Sequence, residues 1–335
     1  MGRVFATLAF ANFVMAGTLA AEEATPETYI RAEVDMTFAQ FQKNAGSDVN
    51  RFYYIRKPTP LDAQAVVRMN RDTLYAGAVV DTEGGATITI PEFPDDRYFS
   101  ILVIDNDHYA PVTFYEPGTY EIPADTKYVS LIMRIQIMDP SDPDDVKLVN
   151  DMQNKFVIEA KSHALFPAPK REMDSILSLR AGYEPEFQKF DQYEPDWMGP
   201  RGEVNEDTRH LAVAGAWGLF PEKDAVYINY AGPASPDKCY TATYEVPPND
   251  AFWSITVYGD DGFMKSDNNI INDRIVTLNE DGTFTAFYGS QESCGDRENR
   301  VDITQGWNFL MRVYRPGDAV LERTYKLPAV TEVTP

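Results

Sequence analysis

Histidine and cysteine are scarce in this 335-residue chain, with three of the first and two of the second. That scarcity excludes zinc fingers, iron–sulfur centres and disulfide-dense scaffolds, all of which need clustered ligands or many thiols. No zinc pattern, glycine-rich phosphate loop, serine elbow or paired-cysteine metal motif occurs, so no cofactor and no metal is expected. Basic residues are also short: 30 Lys and Arg stand against 52 Asp and Glu, a formal net charge of −22. Such a surface repels phosphate backbones and anionic lipid, which argues against nucleic acid and against electrostatic membrane attachment. No stretch reaches the length of a comfortable membrane span, so no membrane anchor is expected once the leader is removed. No Asn-x-Ser/Thr sequon occurs, which favours a bacterial periplasm over a eukaryotic secretory route.

The N-terminus reads M-G-R-V-F-A-T-L-A-F-A-N-F-V-M-A-G-T-L-A-A-E-E. One Arg, an apolar stretch and small residues before acid describe a secretory signal peptide cleaved near Ala20 or Ala21. The expected location is therefore periplasmic or secreted. Cys239 and Cys294 both survive cleavage and are expected to pair in an oxidising compartment.

Hydrophobic residues make up 44% and aromatics 13%, enough for a substantial core, and 23 prolines and 20 glycines suit short strands. The chain repeats itself. P-D-D-R-Y-F-S-I-L-V-I-D-N-D (Pro94 to Asp107) faces P-N-D-A-F-W-S-I-T-V-Y-G-D-D (Pro248 to Asp261). Ala86–Asp107 aligns with Tyr240–Asp261 without a gap, with Thr87/Thr241, Thr89/Thr243, Ser100/Ser254 and Val103/Val257 among the identities. Asp72–Tyr75 meets Asp224–Tyr227, and L-I-M-R-I meets F-L-M-R-V, placing Arg134 opposite Arg312.

Period-2, β-branched and aromatic runs predict strands at Leu74–Asp81, Ala86–Ile90, Tyr98–Ile104, Val112–Tyr115, Thr119–Ile122 and Tyr128–Met138. In the second copy they fall at Ala225–Tyr230, Tyr240–Val246, Phe252–Tyr258, Arg274–Leu278, Thr283–Tyr288 and Trp307–Tyr314. Between the copies the spacing becomes helical at Pro143–Ser162, Asp174–Phe190 and Asn205–Leu219, with a further helix near Met36–Asn44. The expected fold class is mainly β with a helical insert: two related antiparallel β-sandwich domains, jelly-roll-like, joined by a helical segment. The expected divisions are a signal peptide (1–21), an N-terminal β domain (22–140), a helical connecting segment (141–220) and a C-terminal β domain (221–335).

The segment V-V-R-M-N-R-D-T-L-Y-A-G-A-V-V-D (Val66–Asp81) resembles the signature of the bacterial DUF1254 domain. F-W-S-I-T-V-Y, D-G-T-F and F-L-M-R-V-Y-R-P in the second half resemble the DUF1214 domain that often follows it. The resemblance implies a two-domain, mostly β, commonly exported protein of unknown function. Gly306-Trp307-Asn308 stands near the place where that second family carries an Asn-Trp-Leu-Pro block.

Polar residues peculiar to one copy are the better candidates for function. Asn70, Arg71, Asp72 and Thr73 can bind a carboxylate or a sugar hydroxyl, or simply open a strand as an Asx turn. Asp72 is shared with the second copy as Asp224 and reads first as structural. Asp105 and Asp107 alternate with His108, a pattern open to metal ligation, to acid–base chemistry or to a turn. Tyr75 and Arg134, with their counterparts Tyr227 and Arg312, could line a cleft. An Arg inside an apolar strand needs an acid or carbonyl partner, or forms the floor of an anion pocket. Asp139–Asp145 lacks the glycine and terminal Glu of an EF-hand and reads as the approach to a helix. Two functional expectations follow. One is binding of a small polar or saccharide-like ligand. The alternative is a periplasmic hydrolase whose site gathers Asn70, Arg71, Asp72 and His108.

Overall fold

The computed structural model describes residues 21–333 except 65–66, 124, 140–141 and 234. The expected signal peptide, 1–21, lies outside the described residues apart from Ala21. The first half carries β1 (Tyr53–Tyr54), β2 (Thr73–Asp81), β3 (Ala86–Ile90), β4 (Phe99–Asp105), β5 (Thr113–Phe114), β6 (Gly118–Glu121), β7 (Tyr128–Gln136) and β8 (Val157–Ala160). They form a five-stranded sheet, β1-β2-β7-β4-β5, and a three-stranded one, β6-β3-β8. The second half carries β9 (Ala225–Ala231), β10 (Tyr240–Tyr244), β11 (Trp253–Tyr258), β12 (Ile270–Asn272), β13 (Phe284–Tyr288), β14 (Arg300–Val301), β15 (Asn308–Tyr314) and β16 (Thr331–Glu332). Their sheets run β12-β11-β15-β9 and β14-β13-β10-β16, with antiparallel pairing except between β13 and β14. The described helices are α1 (Tyr29–Asn44), α2 (Pro143–Gln153), α3 (Met173–Phe187), α4 (Arg209–Ala216), α5 (Gln291–Cys294) and α6 (Asp318–Leu321).

The duplication is real at the level of pairing. The order β2-β7-β4 recurs as β9-β15-β11, and β6-β3-β8 recurs as β13-β10-β16. Register agrees as well: Arg134 sits between Tyr75 and Ser100, and Arg312 sits between Tyr227 and Ser254. Period-2 alternation explains the layers. Val129, Leu131, Met133 and Ile135 of β7 turn inward to meet Ile88 and Ile90 of β3. Phe309, Met311 and Val313 of β15 do the same against Tyr244 and Phe284.

The opposite faces are buried too. Tyr98, Leu102, Ile104 and Ile132 from the first half join Tyr227, Phe252, Leu310 and Tyr314 from the second in one cluster. The five-stranded sheet and the β12-β11-β15-β9 sheet thus meet across a shared seam, with Tyr98 5.2 Å from Phe252 and 5.3 Å from Tyr314 between ring centres. Every residue of β4, β7 and β11 is buried for this reason.

Three expected elements differ. The helix expected over Pro143–Ser162 ends at Gln153, because Val157–Ala160 pairs with the edge of β3 as β8. Thus a strand from the expected connecting segment (141–220) completes the first half's smaller sheet. Asp142 caps α2, and Asp145 accepts the Met138 N–H and pairs with Arg97 at 2.8 Å. Arg274–Leu278 is not a strand. The Asn272 side-chain oxygen accepts the N–H groups of Arg274 and Ile275, turning the chain, and Ile270–Asn272 pairs with β11 instead. Finally, α1 begins at Tyr29, well before Met36, and buries Tyr29, Ala32, Val34 and Phe38. Cys239 and Cys294 are disulfide-bonded.

Candidate functional site

The chain leading into β2 belongs physically to the other half. Gln64 exchanges two hydrogen bonds with the Met264 backbone (3.0 and 2.8 Å). The Arg68 N–H donates to the Gly262 carbonyl, and the Tyr258 hydroxyl donates to the Met69 carbonyl, both at 2.8 Å. Asn70 Nδ2 donates to the Tyr314 hydroxyl at 2.8 Å, and its Oδ1 accepts the N–H groups of Asp72 and Thr73. It is therefore an Asx turn and a cross-seam bond at once. Arg71 pairs with Asp267 at 2.9 Å on the surface. Asp72 accepts from Asn272 Nδ2 at 2.9 Å. Thr73 Oγ1 is buried without a hydrogen-bond partner.

His108 lies elsewhere. Thr73 and Tyr98 meet the Gln136 end of β7, whereas Asp105 meets Val129 at the other end. Asp105 Oδ1 accepts the N–H groups of Asp107 and Tyr109, closing a turn that holds His108 at φ 65°. Arg201 clamps Asp105 and Asp107 at 3.2 and 2.8 Å. The imidazole is buried, accepts the Gly218 N–H through Nε2 at 3.3 Å, and titrates near pH 3 because burial and the Arg209 charge disfavour its cation. It stays neutral at pH 7. The structure therefore brings Asn70, Asp72, Thr73 and Tyr75 to the seam, leaves Arg71 at its rim, and puts Asp105, Asp107 and His108 in a separate turn.

At the centre of the seam the duplication becomes a pseudo-two-fold contact. Each half extends an Asp into the other: Asp72 to Asn272, and Asp224 to the Thr113 hydroxyl at 2.7 Å. Burial raises the pKa of both carboxyls, opposed by those same hydrogen-bond donors. The two arginines, equivalent by register, are not equivalent in their bonding. Arg312 donates to Thr256 Oγ1 (3.0 Å), the Tyr258 hydroxyl (2.8 Å) and the Arg68 carbonyl (2.7 Å). In the first copy, Leu102 and Ile104 stand where Thr256 and Tyr258 stand, and from the second half Phe220 reaches Arg134 as Arg68 of the first half reaches Arg312. Both hydroxyl acceptors are thus replaced by aliphatic carbon, and the Phe220 ring lies 4.0 Å from the Arg134 guanidinium. Arg134 is 9% exposed, and its Nε and Nη1 have no hydrogen-bond partner among the described residues. Beside it, Tyr98 OH and Ser100 Oγ are equally buried, lie close enough for Ser100 to lower the Tyr98 pKa, and have no further partner. Burial pushes the Tyr227 phenol up to about 12 against the pull of both guanidinium groups, so it remains a neutral donor.

Two family models match the sequence: Protein of unknown function (DUF1254) over residues 49–110, and Protein of unknown function (DUF1214) over residues 229–318. The chain thus carries a DUF1254 match followed by a DUF1214 match. No curated protein matches its sequence. Among solved structures, it is similar to the VPA0106 protein from Vibrio parahaemolyticus, with TM-score 0.70 and 17% identity, covering 91% of this chain and 97% of that one. It is also similar to a putative uncharacterized protein from Burkholderia cenocepacia, with TM-score 0.53 and 14% identity, covering 91% of this chain and 88% of that one. At these identities the likeness is one of fold.

In the DUF1254 half, the signature Asn70–Tyr75 is thus the element that docks onto the DUF1214 half. In the DUF1214 half, Trp307 stacks on Tyr288 at 4.9 Å within the core. Sequence reasoning named Arg134 but missed Tyr98 and Ser100. Their signal was present, because the gap-free repeat alignment already set Leu102 and Ile104 against Thr256 and Tyr258.

The seam also carries a titrating acid. Asp273 is raised to about 6 by burial, with Arg274 opposing and Asp72 adding to the rise. Gln136 donates to it across the seam at 3.3 Å. A carboxyl with a raised folded-state pKa favours the fold below its unfolded pKa and loses that contribution as pH rises towards 6. Asp273→Asn should therefore match wild type below pH 4 and exceed its unfolding free energy by about 1–2 kcal/mol at pH 7, after solvent screening. Urea unfolding at pH 4 and pH 7 measures this. A variant that is weaker at pH 7 contradicts it.

Proposed function

We propose that this protein is an exported binding protein that holds a small polar ligand in the seam between its DUF1254 and DUF1214 halves. The supporting observation is Arg134, a buried cation with two unpartnered donor atoms beside the unpartnered hydroxyls of Tyr98 and Ser100. Leaving such groups unmade is costly, and each unpaired donor sacrifices about 1–3 kcal/mol of stability. A surface recess of about 420 Å³ lined by Leu61, Gln64 and Met264 adjoins the same aromatic cluster. The leader at 1–21 and the Cys239–Cys294 bond suit an oxidising compartment outside the cytoplasm. No helix among the described residues is long and apolar enough to cross a membrane. The hydrolytic alternative needs Asn70, Arg71, Asp72 and His108 around one pocket, and the neutral His108 stands at the far end of β4.

Hydrogen exchange of the mature chain with a panel of small acids, sugars and polyols tests the location. At least one compound should slow exchange in β4, β7 and β15. Protection confined to another surface, such as the cleft lined by Ile275, Asp296 and Arg300, overturns it.

A further inference from the structure

We infer that the seam site selects a small monocarboxylate, gripped at its charged end by Arg134, Tyr98 and Ser100. This rests on the binding reading above and adds the ligand's chemical class. The three side chains lie on one face of neighbouring strands: Ser100 is the register partner of Arg134, and Tyr98 precedes β4 on the same side. The guanidinium offers only donors, and the phenol and alcohol can turn theirs towards the same point. A cluster of donors around a cation is complementary to an oxyanion. A neutral sugar would leave the cation uncompensated, because its hydroxyls carry no charge.

The second copy serves as an internal control. Arg312 has the same strand position and the same Tyr and Ser neighbours, yet its hydrogen bonds go to Thr256, Tyr258 and the Arg68 carbonyl. Around Arg134 both hydroxyl acceptors are missing, and its Nε and Nη1 make no bond among the described residues. This arginine is therefore held in place by strand register while its donors stay free for something from outside.

One charge suffices. Arg312 has its bonds made and Asp72 beside it, Arg68 Nη1 on the Arg312 side is buried without a partner as well, and Asp224 adds further negative charge to the seam, so at Arg134 itself one cation awaits a counter-charge. A monoanion neutralises Arg134, whereas phosphate or sulfate brings a second negative charge among carboxyls. Phe220 at 4.0 Å from the guanidinium, with Tyr75, Phe252 and Tyr314 nearby, offers flat apolar surface to the body of the ligand. That favours an aromatic or short aliphatic acid.

The test pairs each acid with its neutral isostere on the mature full chain. Benzoate and propionate are compared with benzamide and propionamide, with glucose and inorganic phosphate as further arms, by thermal shift and calorimetry. The acids should raise Tm and bind at least tenfold more tightly than their amides. Arg134→Met should weaken benzoate binding at least tenfold. Leu102→Thr supplies Arg134 with the internal acceptor that Thr256 gives Arg312, and should lower benzoate affinity in a chain that keeps its wild-type circular dichroism. If amides or glucose bind as well as the acids, with exchange protection still in the seam, the carboxylate class is wrong and the binding site stands. If phosphate binds more tightly than benzoate, the single-charge argument is wrong. If nothing protects the seam, both readings fall together.

Discussion

Removing the Cys239–Cys294 disulfide by the double change Cys239→Ser/Cys294→Ser lowers the unfolding free energy by about 4 kcal/mol, the value expected for closing a loop of this length in the unfolded chain. The cysteines are 55 residues apart and span most of the DUF1214 half, from the start of β10 to α5. The bond also sits in packed surroundings. A Cβ placed on Gly289 would come 2.6 Å from Cys294 Sγ, and the Cys239 carbonyl accepts the Val333 N–H that holds β16 beside β10. Reduction therefore loosens the β14-β13-β10-β16 sheet first. Urea unfolding of the oxidised chain and of the double variant measures the loss, and a difference below about 1 kcal/mol would contradict the loop-closure argument.

The second large effect is a contrast between the paired arginines. Arg312→Met should cost about 3 kcal/mol, because it strands Thr256 Oγ1 and the Arg68 carbonyl in a buried seam and leaves the Tyr258 hydroxyl only its bond to Met69. Arg134→Met strands nothing and removes an uncompensated buried charge, while losing the contact with Phe220. Its stability should stay within about 1 kcal/mol of wild type or rise above it, the cation–π term roughly offsetting the desolvation relief. Equal losses in the two variants would show that Arg134 is as much a structural anchor as Arg312. The pairing of a stability-neutral change with lost ligand binding is the signature expected of a group retained for function at the expense of stability.

Much of the fold was legible because strand signals are local. Alternation at period two placed Ala86–Ile90 at its observed bounds and most other strands within a residue or two. The repeat then predicted which strands are equivalent, and register confirmed it through Ser100–Arg134 and Ser254–Arg312. The errors share one cause. Val157–Ala160 carries apolar residues compatible with either period, and only the unpaired edge of β3 made it a strand. Arg274–Leu278 looked extended until the Asn272 side chain took the backbone N–H groups that a ladder would have used.

The site divides the same way. Asn70 and Asp72 stood out as polar residues in an apolar stretch, but their role as a cross-seam latch depends on Tyr314 and Asn272, 244 and 200 positions away. The sequence by itself determined the composition of each layer, the duplication and the cysteines available to pair, since those follow from side-chain chemistry and short-range periodicity. Tertiary structure alone decided that the five-stranded sheet and the β12-β11-β15-β9 sheet turn their second faces towards each other. That choice is made by the aromatic surface the two halves bury together, and it left Arg134 facing carbon where its twin faces oxygen.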